Sequence, residues 1–433
     1  MRLLVGLRAV LDPLRDDEEL ARPQDDVAVA QLDRQLAAHH QEEVVGVVVL
    51  VPDELAEHLD RDQLVVVHVA EEPGLVGVRQ ECELLGQGDL VVHTPMIPDA
   101  LAAYPRIRFM GSKHRLAPQL AELFATLPPG PAIDAFSGSG VVAYTLKATG
   151  RATHANDHLT FTATLAEALV ANQDQTLGPE DVERLCSPNR DGRDFIATTF
   201  AGLYFPAQDH AFLDAAWSHV DHLDGAKRAL ALSALCLAAA WKQPRGVFTV
   251  TTPRYDDGRR QLHTPLQTLF REAVERCNAA VRPGAATATC GDVFAIDPAQ
   301  AALVYLDPPY APSRDDTCYV KRYHFLEGLA TYWRGQEIMW ETRTRKLRKR
   351  HTPFGSKRTV REALDRLFDH FSAPQAVVVS YGSNADLTAD ELQDLLARHR
   401  RNVRRIEIPH RYAFGTHAAA TRRTATEWVF VAR

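Results

Sequence analysis

The residues Asp307-Pro308-Pro309-Tyr310 combine a carboxylate, a rigid turn and an aromatic ring at one place in the chain. Two consecutive prolines fix φ and remove two backbone N–H donors, so the Pro308 carbonyl points outward as an acceptor. That carbonyl and the Asp307 carboxylate can accept both N–H bonds of an exocyclic amine, which leaves the lone pair of the nitrogen free to face an electrophilic methyl group. Tyr310 offers a face on which an extruded base can stack. The turn therefore predicts chemistry on the amine of a nucleobase.

A glycine-containing turn, Asp134-Ala135-Phe136-Ser137-Gly138-Ser139-Gly140, forms a second candidate site. Glycines let a ligand approach the backbone closely. The turn has no basic residue to cradle a phosphate, which favours a cofactor with an amino-acid end over a dinucleotide or triphosphate. Asp157, at the end of the next predicted strand, is placed to accept hydrogen bonds from ribose hydroxyls.

Two further segments carry candidate ligand contacts. Arg108-Phe109-Met110-Gly111-Ser112-Lys113 precedes the glycine turn, and taken alone it is typical of a turn with a solvated lysine. Asp292 and Phe294 follow another predicted strand and can place a carboxylate and an aromatic ring against a purine.

The elements that must position these residues form an alternating pattern. Strand, glycine turn and helix open a doubly wound, parallel α/β sheet, whose ligands bind at the carboxyl ends of the strands. Polar loops and helices interrupt this alternation over residues 158–285, including a buried helix over 226–241, and indicate an inserted, mainly helical module. The predicted strands cover residues 132–136, 153–156, 287–290, 302–306, 376–380, 403–408 and 428–432, with a helix over 141–149.

Together these segments resemble the Dam-like class of adenine-specific DNA methyltransferases over residues 107–433. In that class an aromatic-x-Gly-x-Lys segment, a DxFxGxG loop, an Asn-Asp strand end, a recognition insert and DPPY follow one another in this order. The resemblance implies a Rossmann-like methyltransferase sheet with an inserted target-recognition module. It also implies transfer of a methyl group from S-adenosylmethionine to the exocyclic amine of an adenine flipped out of double-stranded DNA, with no metal ion.

The resemblance further assigns roles to single residues. Lys113 would line both the cofactor and the target pocket, the turn 134–140 would wrap the methionine moiety, and Asn156 with Asp157 would hold the ribose. The catalytic residues would be Asp307, Pro308, Pro309 and Tyr310, and the cofactor-binding residues Phe109, Lys113, Asp134, Phe136, Gly138, Gly140, Asp157, Asp292 and Phe294. Further similarities are residues 246–249 before Tyr255, 323–326, 380–382 and 427–430.

Two other functions fit parts of the same pattern. Short D/N-P-P-Y/F turns also serve methyltransferases of RNA and of protein amides, and a DNA-binding relative can keep the fold without activity. The Lys113 segment and the long insert before Asp307 favour DNA as the substrate. The intact Asp307, Tyr310 and glycine turn favour an active enzyme.

Residues 1–95 differ in composition from the remainder of the chain. They carry a net charge of −13 and contain no Phe, Tyr or Trp, whereas residues 96–433 carry +6. Such asymmetry points to a polyanionic partner for the basic part. Residues 1–95 fit an accessory domain, a disordered acidic extension or translated sequence upstream of the real start. The abrupt change near Met96 favours the third, although residues 43–51 and 64–69 have a strand-like composition.

A basic run after the DPPY turn predicts a loop that contacts DNA phosphates, although such a run is usually a solvated helix face. Its members are Arg343, Arg345, Lys346, Arg348, Lys349, Arg350, Lys357 and Arg358.

Domain boundaries and cellular context follow from these observations. We expect an extension over residues 1–95, a catalytic domain over 96–157 and 286–433, and a target-recognition module over 158–285. The six cysteines show no CxxC pair or ligand spacing, and no apolar run reaches the roughly 20 residues of a membrane span. The sequence thus predicts a cytoplasmic monomer without disulfides, zinc or a membrane partner, acting on double-stranded DNA beside a cognate restriction endonuclease.

Overall fold

The chain divides into two units, residues 1–95 and Met96–Arg433. The computed structural model describes residues 96–249, 258–311, 318–383, 385–411 and 424–433, all in the second unit. The strand-like runs 43–51 and 64–69 therefore lie outside the described residues, as does Tyr255.

Seven strands form one mixed sheet in the order β3-β2-β1-β4-β5-β7-β6. Each lies where the sequence predicts a strand, within a few residues at either end. The strands are β1 (Ala132–Asp134), β2 (Thr153–Asp157), β3 (Ala286–Cys290), β4 (Leu303–Leu306), β5 (Ala376–Gly382), β6 (Val403–Arg411) and β7 (Thr424–Ala432).

The described residues also contain thirteen α-helices. They are α1 (Met96–Ala103), α2 (Ala117–Ala125), α3 (Val141–Ala148), α4 (Thr160–Ala166), α5 (Pro179–Leu185), α6 (Phe195–Thr199), α7 (Ala207–Val220), α8 (Gly225–Lys242), α9 (Arg260–His263), α10 (Leu266–Ala280), α11 (Tyr319–Leu329), α12 (Val360–His370) and α13 (Ala389–Ala397). Short 3₁₀ turns cover Pro244–Gly246, Val293–Ala295 and Pro353–Gly355, and a π-helical turn, Glu167–Ala171, extends α4.

Strands β1 to β5 are mutually parallel, and the strand order reverses between β1 and β4. Register pairs Asp134 with Tyr305, so both strands end at the same level. The chain leaves β1 in one direction and β4 in the other, which opens a crevice between their carboxyl ends. Asp134 and the DPPY turn both reach this crevice.

The prediction of a parallel sheet is wrong for β7. This strand is antiparallel to both β5 and β6. Strands β6 and β7 are consecutive in the chain and pair directly with each other, and consecutive strands that pair directly are commonly antiparallel because a parallel pair requires a crossover connection. As a consequence β7 enters the sheet beside β5 and pairs Glu427 with Gly382.

Two apolar cores cover the sheet, as expected for strands that are buried on both faces. Strands β1, β4 and β5 are buried along their whole length. On one face α12 and α13 pack against them, and α12 does so through an apolar stripe at helical spacing. That stripe comprises Val360, Ala363, Leu364, Leu367 and Phe368.

The described part of residues 158–285 is helical and contributes to the core on the other face. Helix α4 packs on β2 and β3, and α8 packs on both α4 and α10. The Tyr144 hydroxyl of α3 donates to the Ala280 carbonyl of α10 at 2.9 Å. One continuous apolar cluster runs from the sheet residues Ala155 and Leu303 into α8 and α10. The start and end of this range are thus structurally continuous with the sheet.

None of the helices in the described ranges combines the length and hydropathy that a bilayer crossing requires.

Candidate active site

The glycine turn between β1 and α3 adopts a conformation that its glycines make possible. Gly138 and Gly140 have φ values of 49° and 78°, a region that other residues rarely adopt. A Cβ atom on Gly138 would lie 2.9 Å from the Phe109 ring, and one on Gly140 would overlap the Tyr104 hydroxyl. The Gly138 N–H donates to Asp157 Oδ2 at 2.7 Å. The turn is therefore fixed from both sides with its backbone close to the crevice.

Asp134, the last residue of β1, is fully buried, and neither of its carboxylate oxygens meets a hydrogen-bond donor of the described chain at bonding geometry. Burial, together with the nearby charge of Asp307, raises the pKa of this carboxyl to about 8. The backbone N–H groups of Ala143 and Phe136 act in the opposite direction and lower the pKa. A carboxylate that is buried without a donor is costly. Such a site fits a cationic group of a ligand.

Asp307, by contrast, has a cation and a tyrosine hydroxyl next to its carboxylate. Lys113 Nζ lies 2.5 Å from Asp307 Oδ2, 3.1 Å from the Tyr310 hydroxyl and 3.3 Å from Glu427 Oε1. The Tyr310 oxygen lies 2.8 Å from Asp307 Oδ1 and 2.6 Å from Glu427 Oε1. These four residues, Lys113, Asp307, Tyr310 and Glu427, form a buried charged cluster.

Burial and charge oppose each other within this cluster. Burial raises the pKa of Asp307 more than the Lys113 ammonium lowers it, and Glu427 adds to the rise. Burial alone would lower the pKa of Lys113, but the carboxylates of Asp307 and Glu427 outweigh it and hold that pKa well above its usual range. The cluster thus holds one cation between two acids, with a tyrosine hydroxyl beside them.

A cavity of about 350 Å³ joins the two carboxylates. Its walls include twelve of the thirteen residues that the sequence singles out, the exception being Gly140. Gly140 instead directly precedes α3 and packs against Tyr104. The predicted residues in the cavity wall are Phe109, Lys113, Asp134, Phe136, Gly138, Asp157, Asp292, Phe294, Asp307, Pro308, Pro309 and Tyr310.

Aromatic rings form one end of the cavity. The Phe136 ring meets Phe354 edge-on at 5.4 Å, and Phe294 stacks on Phe354 at 6.3 Å. The Arg366 guanidinium lies 3.9 Å from the Phe294 ring centre. Asp292 accepts a hydrogen bond from the Phe294 N–H at 3.0 Å, which fixes the turn that carries the ring. The aromatic surface at this end of the cavity suits a planar base.

Asp157 and Asn156 connect the ends of the neighbouring strands. Asp157 Oδ1 accepts from the Leu159 N–H at 2.9 Å, so its two oxygens hold the start of α4 and the glycine turn. Burial raises the pKa of Asp157. Asn156 donates to the Ala135 and Gly291 carbonyls, both at 3.3 Å. Both side chains therefore have structural contacts in addition to facing the cavity.

The segment 108–113 packs against two of the other motifs. Phe109 stacks on Tyr323 and Tyr319 of α11, at 4.9 and 5.5 Å between ring centres. The Met110 N–H donates to the Tyr323 hydroxyl at 2.7 Å. Gly246, with φ of 69°, lies so close to Arg108 that a Cβ would contact the Arg108 carbonyl at 2.7 Å. These contacts join the segment that carries Lys113 to α11 and to the turn at Gly246, which are far from it in sequence.

The residues that sequence reasoning missed include Phe354 in the cavity wall and Glu427 in the charged cluster. Phe354 had no motif around it. Glu427 was noticed only as part of a terminal similarity, although an acidic residue inside an apolar strand is itself a signal because it requires a buried partner. Its residue exposure is 1%.

Comparison with known proteins places the chain in a family. The family described as D12 class N6 adenine-specific DNA methyltransferase matches residues 109–375. A relative from Haemophilus parahaemolyticus, "Type II methyltransferase M2.HphI", is 27% identical over 327 residues, which cover 71% of this chain and 92% of the relative. The family match spans the Lys113 segment, the glycine turn, the helical range and the DPPY turn. The chain therefore belongs to the D12 class N6 adenine-specific DNA methyltransferases.

Proposed function

We propose that this cavity holds S-adenosylmethionine at the Asp134 end and a flipped adenine at the Asp307 end. One observation carries the proposal: Asp134, a buried carboxyl without a cationic partner among the described residues, and the lysine-paired Asp307 lie at the ends of adjacent strands and share one cavity. In-line transfer requires the methyl donor and the acceptor amine to lie next to each other in one cavity.

The cavity residues fit the proposed cofactor. Asp134 is an acceptor without a donor and suits an α-ammonium group. The Phe136, Phe294 and Phe354 rings suit an adenine, and Asp157 retains lone pairs for ribose hydroxyls. When bound, S-adenosylmethionine supplies an electrophilic methyl group on a sulfonium sulfur. Gly138 leaves the room that such a molecule needs beside the backbone.

At the other end, Asp307 and the Pro308 carbonyl would accept the two N–H bonds of the adenine amine. Asp307 would orient and polarise the amine, and would accept the proton that the nitrogen loses as the methyl group passes from sulfur to nitrogen and S-adenosylhomocysteine is left. Lys113 holds the carboxylate in place. The Asp307 side chain is largely buried, which limits the access of water to these steps.

DNA recognition would involve the described helices of residues 158–285 and the basic run. The run does not form a helix: Ile338 and Leu347 form an antiparallel bridge, and residues 337–348 make a tight turn that we call the basic hairpin. The side chains of Arg343, Arg348 and Lys349 are exposed. Exposed cations beside the cavity suit phosphates of a duplex, which they would position without reading its sequence.

We further propose that the catalytic domain comprises residues 96–157 and 286–433, that the protein acts as a monomer, and that residues 1–95 take no part in methylation. The relative's designation as a Type II methyltransferase supports a site-specific activity that protects DNA from a cognate restriction endonuclease. Digestion of DNA from cells with and without this methyltransferase, using candidate endonucleases, tests that pairing.

The decisive experiment is methyl transfer from labelled S-adenosylmethionine to unmethylated genomic DNA, with nucleoside analysis of the product. We expect N6-methyladenine from the full chain, and an equal rate from a chain that begins at Met96. Transfer to RNA or to a protein amide instead of DNA would refute the proposed substrate. Failure of the shorter chain alone would refute only the proposal about residues 1–95.

A further inference from the structure

Glu427 is a buried acid on β7 for which methyl transfer as described has no use. Its carboxylate lies 2.6 Å from the Tyr310 hydroxyl and 3.3 Å from Lys113 Nζ. Both groups also contact Asp307, so Glu427 and Asp307 share the same two partners. A buried second acid beside a catalytic acid costs free energy unless it is paired, which makes its position informative.

The sharing matters because Tyr310 has one hydroxyl hydrogen. When it donates to Asp307 Oδ1, one of the two lone pairs of that oxygen is taken and its acceptor strength falls, while Lys113 donates to Oδ2. When it donates to Glu427, Oδ1 is available for the amine of a base. A hydroxyl can turn between two acceptors at 2.8 and 2.6 Å without displacement of either carboxylate.

We propose that Glu427 is a positioning residue for methyl transfer, which takes the Tyr310 hydroxyl and part of the Lys113 charge so that Asp307 can accept the adenine amine. Rotation of one hydroxyl is enough to switch the cluster between a closed pair and an open acceptor. The inference rests on the proposed role of Asp307.

Charge supports the same assignment. The groups around Asp307 are Lys113 from the segment before α2, Tyr310 from its own turn, Tyr305 from β4, Tyr319 from α11, Asp134 from β1 and Glu427 from β7. The negative charge of Glu427 raises the pKa of Asp307, whereas Lys113 lowers it. Loss of that negative charge leaves Asp307 a weaker acceptor, with a lower pKa.

The test compares Glu427→Gln with Glu427→Asp. We expect Glu427→Gln to lower kcat about ten-fold, because Asp307 becomes a weaker acceptor of the amine, while the affinities for S-adenosylmethionine and DNA change less than about two-fold. The acid limb of its kcat–pH profile should move to lower pH. Glu427→Asp should recover part of kcat and the position of that limb.

Tyr310→Phe supplies the matched control, because it removes the shared hydrogen and leaves both carboxylates. If Glu427 acts through Tyr310, the double variant Tyr310→Phe, Glu427→Gln should lose less than the product of the two single losses. An unchanged kcat and pH profile in Glu427→Gln would overturn the proposal. So would equal losses of kcat, cofactor affinity and melting temperature in both Glu427 variants, which would indicate a purely structural residue. Wild-type protein without DNA methylation would instead refute the proposed function.

The basic hairpin carries a second, independent observation. Trp340 is 55% exposed, and no other large hydrophobic side chain of the described residues is exposed to a comparable degree. The Arg345 guanidinium lies 5.5 Å from its ring centre and contacts its carbonyl. Trp340 thus presents an apolar ring to solvent next to the exposed cation Arg343.

The basic hairpin is held by backbone hydrogen bonds, and the chain directly after it enters the wall of the cavity. The Met339 N–H donates to the Lys346 carbonyl at 2.7 Å, and Leu347 is buried below the turn. Arg350, directly after the hairpin, lines the cavity and pairs with the buried Glu327 at 3.0 Å. Glu327 in turn accepts the backbone N–H of Thr160 at 3.0 Å.

We infer that Trp340 stacks into duplex DNA beside the flipped adenine, with the hairpin cations on the flanking phosphates. Apolar wedges that open a base step act in this way elsewhere. The inference rests on entry of a flipped adenine into the cavity. A planar ring and positive charge on one rigid turn match the bases and backbone of a duplex.

Once the methylated sequence has been read from genomic DNA, Trp340→Ala and Trp340→Phe can be compared on two duplexes, one fully paired and one with an abasic position opposite the target adenine. We expect Trp340→Ala to lower kcat/KM about ten-fold on the paired duplex, consistent with the loss of one stacking contact, and much less on the abasic duplex. Trp340→Phe should retain most activity on both. Equal activity of wild type and Trp340→Ala on the paired duplex, or equal losses on the two duplexes, would overturn the inference.

Discussion

Asp134 and Asp307 follow adjacent parallel strands and reach one cavity, yet their surroundings differ. Asp134 is buried without a hydrogen-bond donor from the described chain, and burial raises its pKa to about 8. Asp307 is held by Lys113 at 2.5 Å and Tyr310 at 2.8 Å. The same side chain at equivalent strand ends is thus left uncompensated at one site and preorganised at the other. Under the proposed function, Asp134 would receive the cation of the cofactor, and Asp307 would be oriented before the adenine binds.

The largest effect is expected from Asp307→Ala. Loss of this acceptor should lower kcat by about 10²–10³-fold or more, as removal of one group aimed at developing charge does. Cofactor affinity should remain within a few-fold of wild type, because Asp134 and the aromatic end are untouched. Single-turnover methylation and calorimetric titration with S-adenosylmethionine measure the two quantities. Equal losses of kcat and of cofactor affinity would show that the two carboxylates do not have separate roles.

Lys113→Met removes the cation that distinguishes Asp307 from Asp134. The pKa of Asp307 should then rise, because burial and Glu427 are no longer opposed by the ammonium group. Since the ionised carboxylate accepts the amine, the acid limb of kcat should move to higher pH, opposite in direction to Glu427→Gln. A rate–pH profile of the two variants side by side gives the signs. Shifts of the same sign would contradict the charge argument.

Asp134→Asn probes the other carboxylate. We expect the Kd for S-adenosylmethionine to rise about ten-fold to a hundred-fold, since a hydrogen bond to a charged group contributes about 1.5–3 kcal/mol. In the wild type, affinity should increase as pH rises toward 8 because the carboxyl ionises there. Asp134→Asn should abolish this dependence. Calorimetry in buffers of different ionisation enthalpy counts the protons released on binding.

The stability of the cofactor-free protein should fall as pH rises toward 8, whereas cofactor affinity should increase. The pKa of Asp134 is about 8 in the folded protein, against about 4 for an aspartate in an unfolded chain, so folding favours the protonated form. Its contribution to stability is complete below about pH 4 and is lost as pH rises through about 8. At about pH 9 the free Asp134→Asn variant should melt no lower than wild type, because the wild-type carboxylate is then ionised and buried. A large drop in its melting temperature would show that Asp134 has a structural partner.

The smallest effect is expected from Phe294→Ala at the aromatic end. Loss of one stacking face should weaken cofactor binding several-fold, in line with roughly 0.5–1.5 kcal/mol for an aromatic pair. Phe294→Leu keeps much of the volume and serves as the control for packing. The kcat at saturating cofactor should be unchanged, because Asp307 and its partners lie at the other end. A fall in kcat would show that the two ends are coupled.

Much of the fold could be predicted because it depends on local patterns. Apolar runs such as 303–306 bury both faces and predict strands, and glycines with positive φ mark the turn after β1. The cavity residues could be found for the same reason: they follow strands, and parallel strands expose their carboxyl ends on one edge. The direction of β7 could not, because alternation in a strand does not record which neighbour it joins.

The sequence alone identified the candidate acceptors, since Asp307-Pro308-Pro309-Tyr310 after a buried strand offers a carboxylate and a carbonyl that can accept an amine. It also determined which residues meet at the edge of the sheet. Only the tertiary structure decided how each acid is charged. The pKa of a carboxylate depends on burial and on partners from distant elements, so Lys113 and Glu427, from opposite ends of the described chain, make Asp307 unlike Asp134.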